Sequence, residues 1–226
     1  MSRPARRRVV QGIAAVLGGA ALPRVGGGAQ EGGASMHKRN IPKTGEALPV
    51  IGLGTWQTFD VGAGAPERAA LAEVLAAFLD AGGRVIDSSP MYGRAEATVG
   101  ELLAALGPRA EGQRRPFLAT KVWTTGKARG EQQMTTSIGR MHPPAPERID
   151  LMQIHNLQDW RTHLGTLRDW KAAGRVRCIG VTHYDPGAFD ELERIVKTEA
   201  VDFVQLPYSI GARQAEQRLL PAAVDH

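Results

Sequence analysis

Short apolar runs alternate with helical patterns along this chain, and no other feature of its sequence restricts the possible folds as strongly. Six runs have the length and apolar content of buried β-strands. They span residues 48–55, 84–87, 117–121, 150–155, 177–182 and 201–206. Helical spacing of apolar residues predicts helices over 66–81 and 96–106, around Met134 to Met141, along Trp160 to Trp170, and after the cap formed by Asp185 and Pro186. This alternation predicts repeated βα units and a parallel sheet.

The number of units is smaller than a closed barrel needs. A TIM-type (β/α)8 barrel has eight units and about 250 residues, whereas residues 36–226 hold six units. A last segment, 213–224, begins with a helical pattern and then meets Pro221. We therefore predict an α/β fold of the (β/α)8 barrel type with about six units present. We also expect one edge of the first strand and one edge of the sixth strand to be unpaired.

Residues 1–35 differ from the rest of the chain. Arg6, Arg7 and Arg8 precede a mildly apolar stretch, 9–22, which contains three glycines. This stretch is too short to span a bilayer stably, and a charged segment before it is typical of an export signal, with paired arginines favouring the twin-arginine type. We predict an export signal and linker over 1–35 and a periplasmic or exported protein. The alternative is a cytoplasmic protein that starts at Met36.

Charge and cysteine content exclude several classes of partner and site. Five arginines and one glutamate place a charge of +4 in residues 1–35, which leaves +1 of the total of +5 for the remainder. A nucleic-acid surface normally needs a clustered basic face, so we expect no nucleic-acid partner. Cys178 is the single cysteine, which excludes an intrachain disulfide and a cysteine-based zinc site. It lies in a strand-like run, where we expect it to be a small buried apolar residue.

Four residues able to move or stabilise a proton lie at the ends of three predicted strands. Asp87, Lys121 and His155 each end a strand, and Tyr92 lies in the loop after the first of these strands. The C-terminal ends of barrel strands converge on one mouth, where active sites are found. We therefore expect these four side chains to meet, although each alone would more simply be a structural ion pair or a satisfied polar residue.

Together the four residues form a coherent set for protonating a carbonyl oxygen. A tyrosine hydroxyl titrates near pH 10, and a nearby ammonium such as that of Lys121 favours the phenolate and lowers the pKa. At about 4 Å in a partly buried site this attraction is roughly 4 kcal/mol before desolvation. Asp87 would keep the ammonium charged, and His155 would orient or polarise the carbonyl.

Four ordered motifs resemble the aldo-keto reductases. They are Gly52-Leu-Gly-Thr-Trp56, Val85-Ile-Asp-Ser-Ser-Pro-Met-Tyr-Gly93, Leu118-Ala-Thr-Lys121 and Asp150-Leu-Met-Gln-Ile-His155. The resemblance covers about Met36 to Val224. It implies a (β/α)8 barrel that uses NADPH, without a metal, to reduce small-molecule aldehydes and ketones. It further implies that Tyr92 donates the proton, Lys121 tunes Tyr92, Asp87 holds Lys121, His155 orients the carbonyl, and the hydride comes from the nicotinamide C4.

The resemblance also implies positions for cofactor and substrate. The cofactor positions are Gly54, Thr55, Thr182, His183 and Gln205. His183 departs from the family, which usually has asparagine there; histidine can still hydrogen-bond, with a different arrangement of donors and acceptors. Trp56 resembles a wall of the carbonyl pocket, with packing on the barrel lid as the alternative.

Two further hypotheses stay open beside a truncated reductase. The first is an inactive fragment, or a nicotinamide-nucleotide-binding protein of the same family without catalysis, because the later units supply most of the family's grip on the nucleotide. The second is a different barrel enzyme such as a hydrolase, which the sequence favours less because clustered carboxylates or metal ligands are not evident at the strand ends. The sequence leaves the carbonyl substrate, the choice between NADPH and NADH, and the oligomeric state open.

Overall fold

The computed structural model describes residues 36–141 and 148–226, so the export signal predicted for 1–35 lies outside the described residues. A short hairpin comes first, with β1 at Lys38–Asn40 and β2 at Ala47–Pro49. The strands that follow are β3 Gly52–Gly54, β4 Val85–Asp87, β5 Phe117–Val122, β6 Ile149–His155, β7 Val176–Thr182 and β8 Phe203–Gln205. The helices are α1 Glu67–Asp80, α2 Ala95–Leu106, α3 Lys127–Met141, α4 Trp160–Ala172, α5 Phe189–Thr198 and α6 Leu219–Asp225.

Strands β3 to β8 form one six-stranded parallel sheet in sequence order, and a helix follows each strand. This is the order of βα units in a (β/α)8 barrel, with six of the eight units present. Within the described residues, β3 and β8 each pair on one side only. The predicted fold class is therefore confirmed.

The strand predicted over 48–55 is wrong as one element. Residues 47–49 pair antiparallel with β1, and only Gly52–Gly54 joins the parallel sheet, against β4. Pro49 has no backbone N–H to extend a ladder, and Val50 follows it in a bend before β3 begins. The hairpin is an extra element that the apolar pattern of 48–55 does not reveal.

The barrel interior has an apolar layer near the start of the strands. Successive side chains of a strand point to opposite faces, so alternate residues of β5, β6 and β7 face inward. Phe117, Leu151 and Cys178 form one buried cluster with Ile41, which directly follows β1, and Leu48, which lies in β2. The hairpin therefore closes the N-terminal end of the interior. Cys178 is buried as predicted, and burial raises the pKa of its thiol to about 11.

The outward faces of the strands pack against the helices in a second, larger cluster. The helical stripes seen in the sequence supply most of its members; Leu71, Leu75, Met134, Leu167 and Trp170 are all buried. The predicted helices are confirmed, with small changes at their ends. Among the residues that the structure describes, no helix has the length and apolar character needed to cross a bilayer.

Candidate active site

Polar residues continue the inward faces of the strands beyond the apolar layer. On β5 the inward-facing residues change from the apolar Phe117 and Ala119 to the charged Lys121. On β6 they change from the apolar Leu151 to the polar Gln153 and His155. The register pairs Lys121 with Gln153, and His155 with Thr182 of β7. Alternation within each strand therefore builds a polar layer at the C-terminal end of the sheet.

Asp87 and Lys121 form a close ion pair in this layer. The Lys121 Nζ donates to Asp87 Oδ1 at 2.8 Å and Oδ2 at 2.7 Å, and to the carbonyl oxygen of Ser88 at 2.7 Å. The Lys121 side chain is 2% exposed and that of Asp87 is 19% exposed. Burial lowers the pKa of Lys121, and the charge and hydrogen bonds of Asp87 oppose this effect. The ammonium therefore depends on Asp87 to remain charged.

Two glutamine amides support the carboxylate of Asp87. Gln153 Nε2 donates to Oδ1 at 3.3 Å, and Gln205 Nε2 donates to Oδ2 at 3.2 Å. Gln153 Nε2 also lies 3.3 Å from Gln205 Oε1. Gln153 is not among the residues predicted from the sequence, although its position two residues before His155 on β6 is a signal for the same face.

Tyr92 lies beside both Lys121 and His155. The Lys121 Nζ is 5.3 Å from the centroid of the Tyr92 ring, and the rings of Tyr92 and His155 meet edge-on with centroids 5.7 Å apart. Burial of the hydroxyl, followed by the charge of Asp87, raises the pKa of Tyr92 to about 12. This direction is opposite to the one expected from the ammonium alone, because burial disfavours the phenolate and the charge of Asp87 opposes that of Lys121. In the free protein Tyr92 is a neutral phenol that still carries its proton.

His155 is buried and bonded to Ser89. Its Nδ1 lies 2.8 Å from the Ser89 Oγ. Burial, followed by the charges of Lys121 and His183, lowers the pKa of His155 to about 4. The imidazole is therefore neutral near pH 7. Ser89 is fully buried and stands in the second motif, but the sequence gives no signal that it faces His155.

A cleft of about 230 Å³ opens at these residues. Its lining includes Tyr92, Lys121, His155, Thr182, His183 and Gln205. The structure thus brings together three of the four predicted catalytic side chains and three of the predicted cofactor residues, with Asp87 immediately behind Lys121. The four catalytic candidates converge as the topology predicts.

His183 is held at the rim of the cleft. Its backbone N–H donates to the Gln205 carbonyl at 3.2 Å, and its Nδ1 accepts from the Asp185 N–H at 3.0 Å. The ring stacks on Tyr184 with centroids 5.3 Å apart. Since Nδ1 is occupied, Nε2 is the ring atom of His183 that is left for a ligand.

The remaining predicted residues lie outside the cleft lining. Thr55 is fully buried, and its hydroxyl bonds to the Asp87 carbonyl at 3.0 Å and to the Ser88 Oγ at 2.9 Å. The Thr55 hydroxyl is therefore bonded to residues at the end of β4 and does not face the cleft. Gly54 is open, since a Cβ added there would meet nothing within 4 Å. Trp56 is 63% exposed and is not among the residues that line this cleft.

Known proteins are similar to this chain in sequence and in fold. The model of the Aldo/keto reductase family matches residues 50–226. The aldo-keto reductase YhdN of Bacillus subtilis is 27% identical over 206 residues, which are 84% of this chain and 59% of that protein. The methylglyoxal reductase YeaE of Escherichia coli is 28% identical over 193 residues, which are 82% of this chain and 64% of that protein. The chain thus spans about three-fifths of the length of these relatives.

Solved structures of aldo/keto reductases have a fold similar to that of this chain. An aldo/keto reductase from Klebsiella pneumoniae in complex with NADP and acetate superposes with a TM-score of 0.64 at 28% identity, covering 80% of this chain and 62% of that one. An aldo-keto reductase from the same organism in complex with NADPH gives a TM-score of 0.65 at 29% identity, covering 84% of this chain and 66% of that one. The family match over residues 50–226, together with the shared fold, shows that this chain belongs to the aldo/keto reductase family.

Proposed function

We propose that this chain reduces small carbonyl compounds with NADPH, with Tyr92 as the proton donor. The observation that carries the proposal is the convergence of Tyr92, Lys121 and His155 on one cleft, with Asp87 bonded to Lys121 at 2.7 and 2.8 Å. Membership of the family supports it, as do the names of relatives that act on methylglyoxal or are bound to NADP and NADPH.

The residues at the cleft fit the carboxamide of a nicotinamide, which offers both an N–H donor and a carbonyl acceptor. The Gln205 amide uses one hydrogen on Asp87, and its oxygen accepts once, from Gln153. An amide has two hydrogens and two lone pairs, so one donor and one acceptor of Gln205 are left for a ligand. Thr182 and His183 add polar groups to the same lining. When bound there, the nicotinamide would supply a hydride.

Tyr92 and Lys121 would act on the carbonyl oxygen. Because Tyr92 keeps its proton in the free protein, it can donate that proton as negative charge develops on the oxygen. The phenolate left behind would lie beside the ammonium of Lys121, whose Nζ is 5.3 Å from the ring centroid. This attraction exists only once the charge has formed, and interactions of that kind accelerate a reaction.

His155 would orient the substrate. It is neutral near pH 7, so it can donate a hydrogen bond without adding a second positive charge beside Lys121. Its ring contacts that of Tyr92 edge-on, which supports a joint action of Tyr92 and His155 on one carbonyl oxygen.

The direct test is Tyr92→Phe in the full chain, assayed by NADPH oxidation with methylglyoxal as the first substrate. General acid catalysis typically contributes about 10²- to 10⁴-fold, so we expect kcat/KM to fall at least about 100-fold. Tyr208→Phe is the matched control, since Tyr208 is exposed, bonds to Glu216 and is not part of the cleft lining. Full activity of Tyr92→Phe would refute the proposed role.

A second candidate function is nucleotide binding without turnover. The observation that favours it is the lining of the cleft by Thr182, His183 and Gln205, because holding a nucleotide needs these polar groups and no proton transfer by Tyr92. Titration with NADPH and with NADH, followed by energy transfer from tryptophan, separates the two functions. Saturable binding with no turnover of any carbonyl substrate would support this second candidate over the first.

A further inference from the structure

We infer that Ser89 is a positioning residue that fixes His155 in the tautomer with its proton on Nε2. The Ser89 Oγ and the His155 Nδ1 are 2.8 Å apart and buried, although 66 positions separate the two residues in the sequence. The importance of this contact for catalysis rests on the proposed function, in which His155 donates to the carbonyl. The contact itself belongs to the free protein.

Hydrogen-bond accounting decides which atom carries the proton. The Ser89 Oγ also accepts, more weakly, from the Met91 N–H at 3.4 Å. Within the described part of the chain, His155 Nδ1 is the only partner left for the hydroxyl hydrogen. If Nδ1 carried the proton and donated it to Ser89, the hydroxyl hydrogen of Ser89 would be left without an acceptor. Proteins strongly avoid such a buried, unpaired donor. The hydroxyl therefore donates to Nδ1.

A neutral imidazole carries one proton, so a proton-free Nδ1 places that proton on Nε2. Burial, followed by the charges of Lys121 and His183, holds the pKa of His155 near 4, which keeps the ring neutral at pH 7. Since Nδ1 faces Ser89, the Nε2–H is the group that His155 can offer to a ligand in the cleft. Ser89 thus sets both the rotation of the ring and the hydrogen-bonding character of the ring atom that faces a ligand.

The same pair could be mistaken for half of a hydrolytic site, in which a histidine activates a serine nucleophile. Burial excludes that use of it. Ser89 has no exposed surface, so its oxygen cannot reach a substrate carbon. Ser89 therefore positions His155 and does not act as a nucleophile.

The tautomer can be read directly by NMR of the full chain labelled with ¹⁵N-histidine, through two-bond couplings to the ring carbon-bound hydrogens at pH 7. The His155 signals are those lost in His155→Gln. In the unmodified protein we expect Nε2 to be protonated and Nδ1 to be an unprotonated acceptor. In Ser89→Ala we expect both nitrogens to shift toward intermediate values, as the two tautomers interconvert.

Ser88→Ala is the matched control for the spectrum. Ser88 is equally buried, but its hydroxyl accepts from Thr55 rather than bonding to His155, so the His155 signals should stay where they are. In the reductase assay Ser89→Ala is expected to lower kcat about tenfold, the value of one hydrogen bond, with a smaller change in KM.

Three results would overturn the inference: a protonated Nδ1 in the unmodified protein, an unchanged His155 spectrum in Ser89→Ala, or an equal change in Ser88→Ala. The first of these needs no variant of Ser89, so the inference stays testable even if Ser89→Ala does not fold. If the unmodified protein shows Nε2 protonated but reduces no carbonyl, the proposed function fails and the assignment of Ser89 is supported.

Discussion

Replacing Asp87 with asparagine should destabilise the protein much more than replacing Lys121 with methionine, although the two residues form one ion pair. The asymmetry follows from burial. The side chain of Lys121 is 2% exposed, and without the carboxylate it retains the Ser88 carbonyl oxygen as its hydrogen-bond partner. Asp87 is 19% exposed, and without the ammonium it keeps the amides of Gln153 and Gln205.

The magnitudes follow from these two environments. Leaving a buried charge without its partner costs about 3–5 kcal/mol, which is our expectation for Asp87→Asn. Lys121→Met removes hydrogen bonds from a carboxylate that stays partly solvated, at a cost of about 1–2 kcal/mol. Asp87→Asn removes most of what opposes the effect of burial on Lys121 and leaves only the charge of Glu96, so the pKa of Lys121 in the folded state falls further below the ordinary value. Between that pKa and about 10.4 the unfolded chain binds more protons, so the stability of this variant should rise with pH.

Urea denaturation at pH 7 and pH 9 measures both effects. The double variant, Asp87→Asn with Lys121→Met, should lose less free energy of unfolding than the sum of the two single variants, because neither charge is left alone. Equal losses in the two single variants at pH 7 would refute the burial argument. So would a stability of Asp87→Asn that does not increase between pH 7 and pH 9.

Three further outcomes are expected from the same denaturation assay. The pKa of His155 near 4 lies below its unfolded value of about 6.5, so the protein should lose stability as the pH falls from 6.5 to 4, and His155→Gln should lack this contribution. Burial raises the pKa of Glu96 above its usual range, so this residue should make stability fall as the pH rises above about 4.3, and Glu96→Gln should remove that dependence. Gly93 has φ +58°, and a Cβ there would lie 2.3 Å from the carboxylate of Asp60; Gly93→Ala should cost about 1–3 kcal/mol. Gly64→Ala, where a Cβ meets nothing within 4 Å, should stay within about 0.5 kcal/mol of the unmodified protein.

The sequence predicts the framework of this protein because the framework depends on short-range patterns. Strand β6 is a run of seven buried residues, and the stripes of the helices repeat every three or four positions. Lys121 and His155 could be placed together from strand order alone, since parallel strands bring their C-terminal ends to one side. The hairpin β1–β2 was not predictable in the same way, because three-residue strands are too short to show a period.

Contacts that depend on side-chain rotamers and on burial are beyond sequence patterns. Ser89 and His155 are 66 positions apart, and no periodicity links a loop residue to a strand end. The pKa of Tyr92 shows the same limit. An ammonium nearby predicts a lower value, but the degree of burial and the 2.7 Å contact that neutralises Lys121 are needed to see that the value rises.

The described strands divide the site into two parts with different support. Asp87, Lys121 and His155 lie on β4, β5 and β6, and each of these strands is paired on both sides. Gly54 and Gln205 lie on β3 and β8, which are paired on one side only. Strand ends held by two neighbours open less readily than those held by one. Asp87, Lys121 and His155 are therefore the more rigidly positioned residues, together with Thr182 at the end of the doubly paired β7. Gly54 and Gln205 depend more on whatever contacts the two edges.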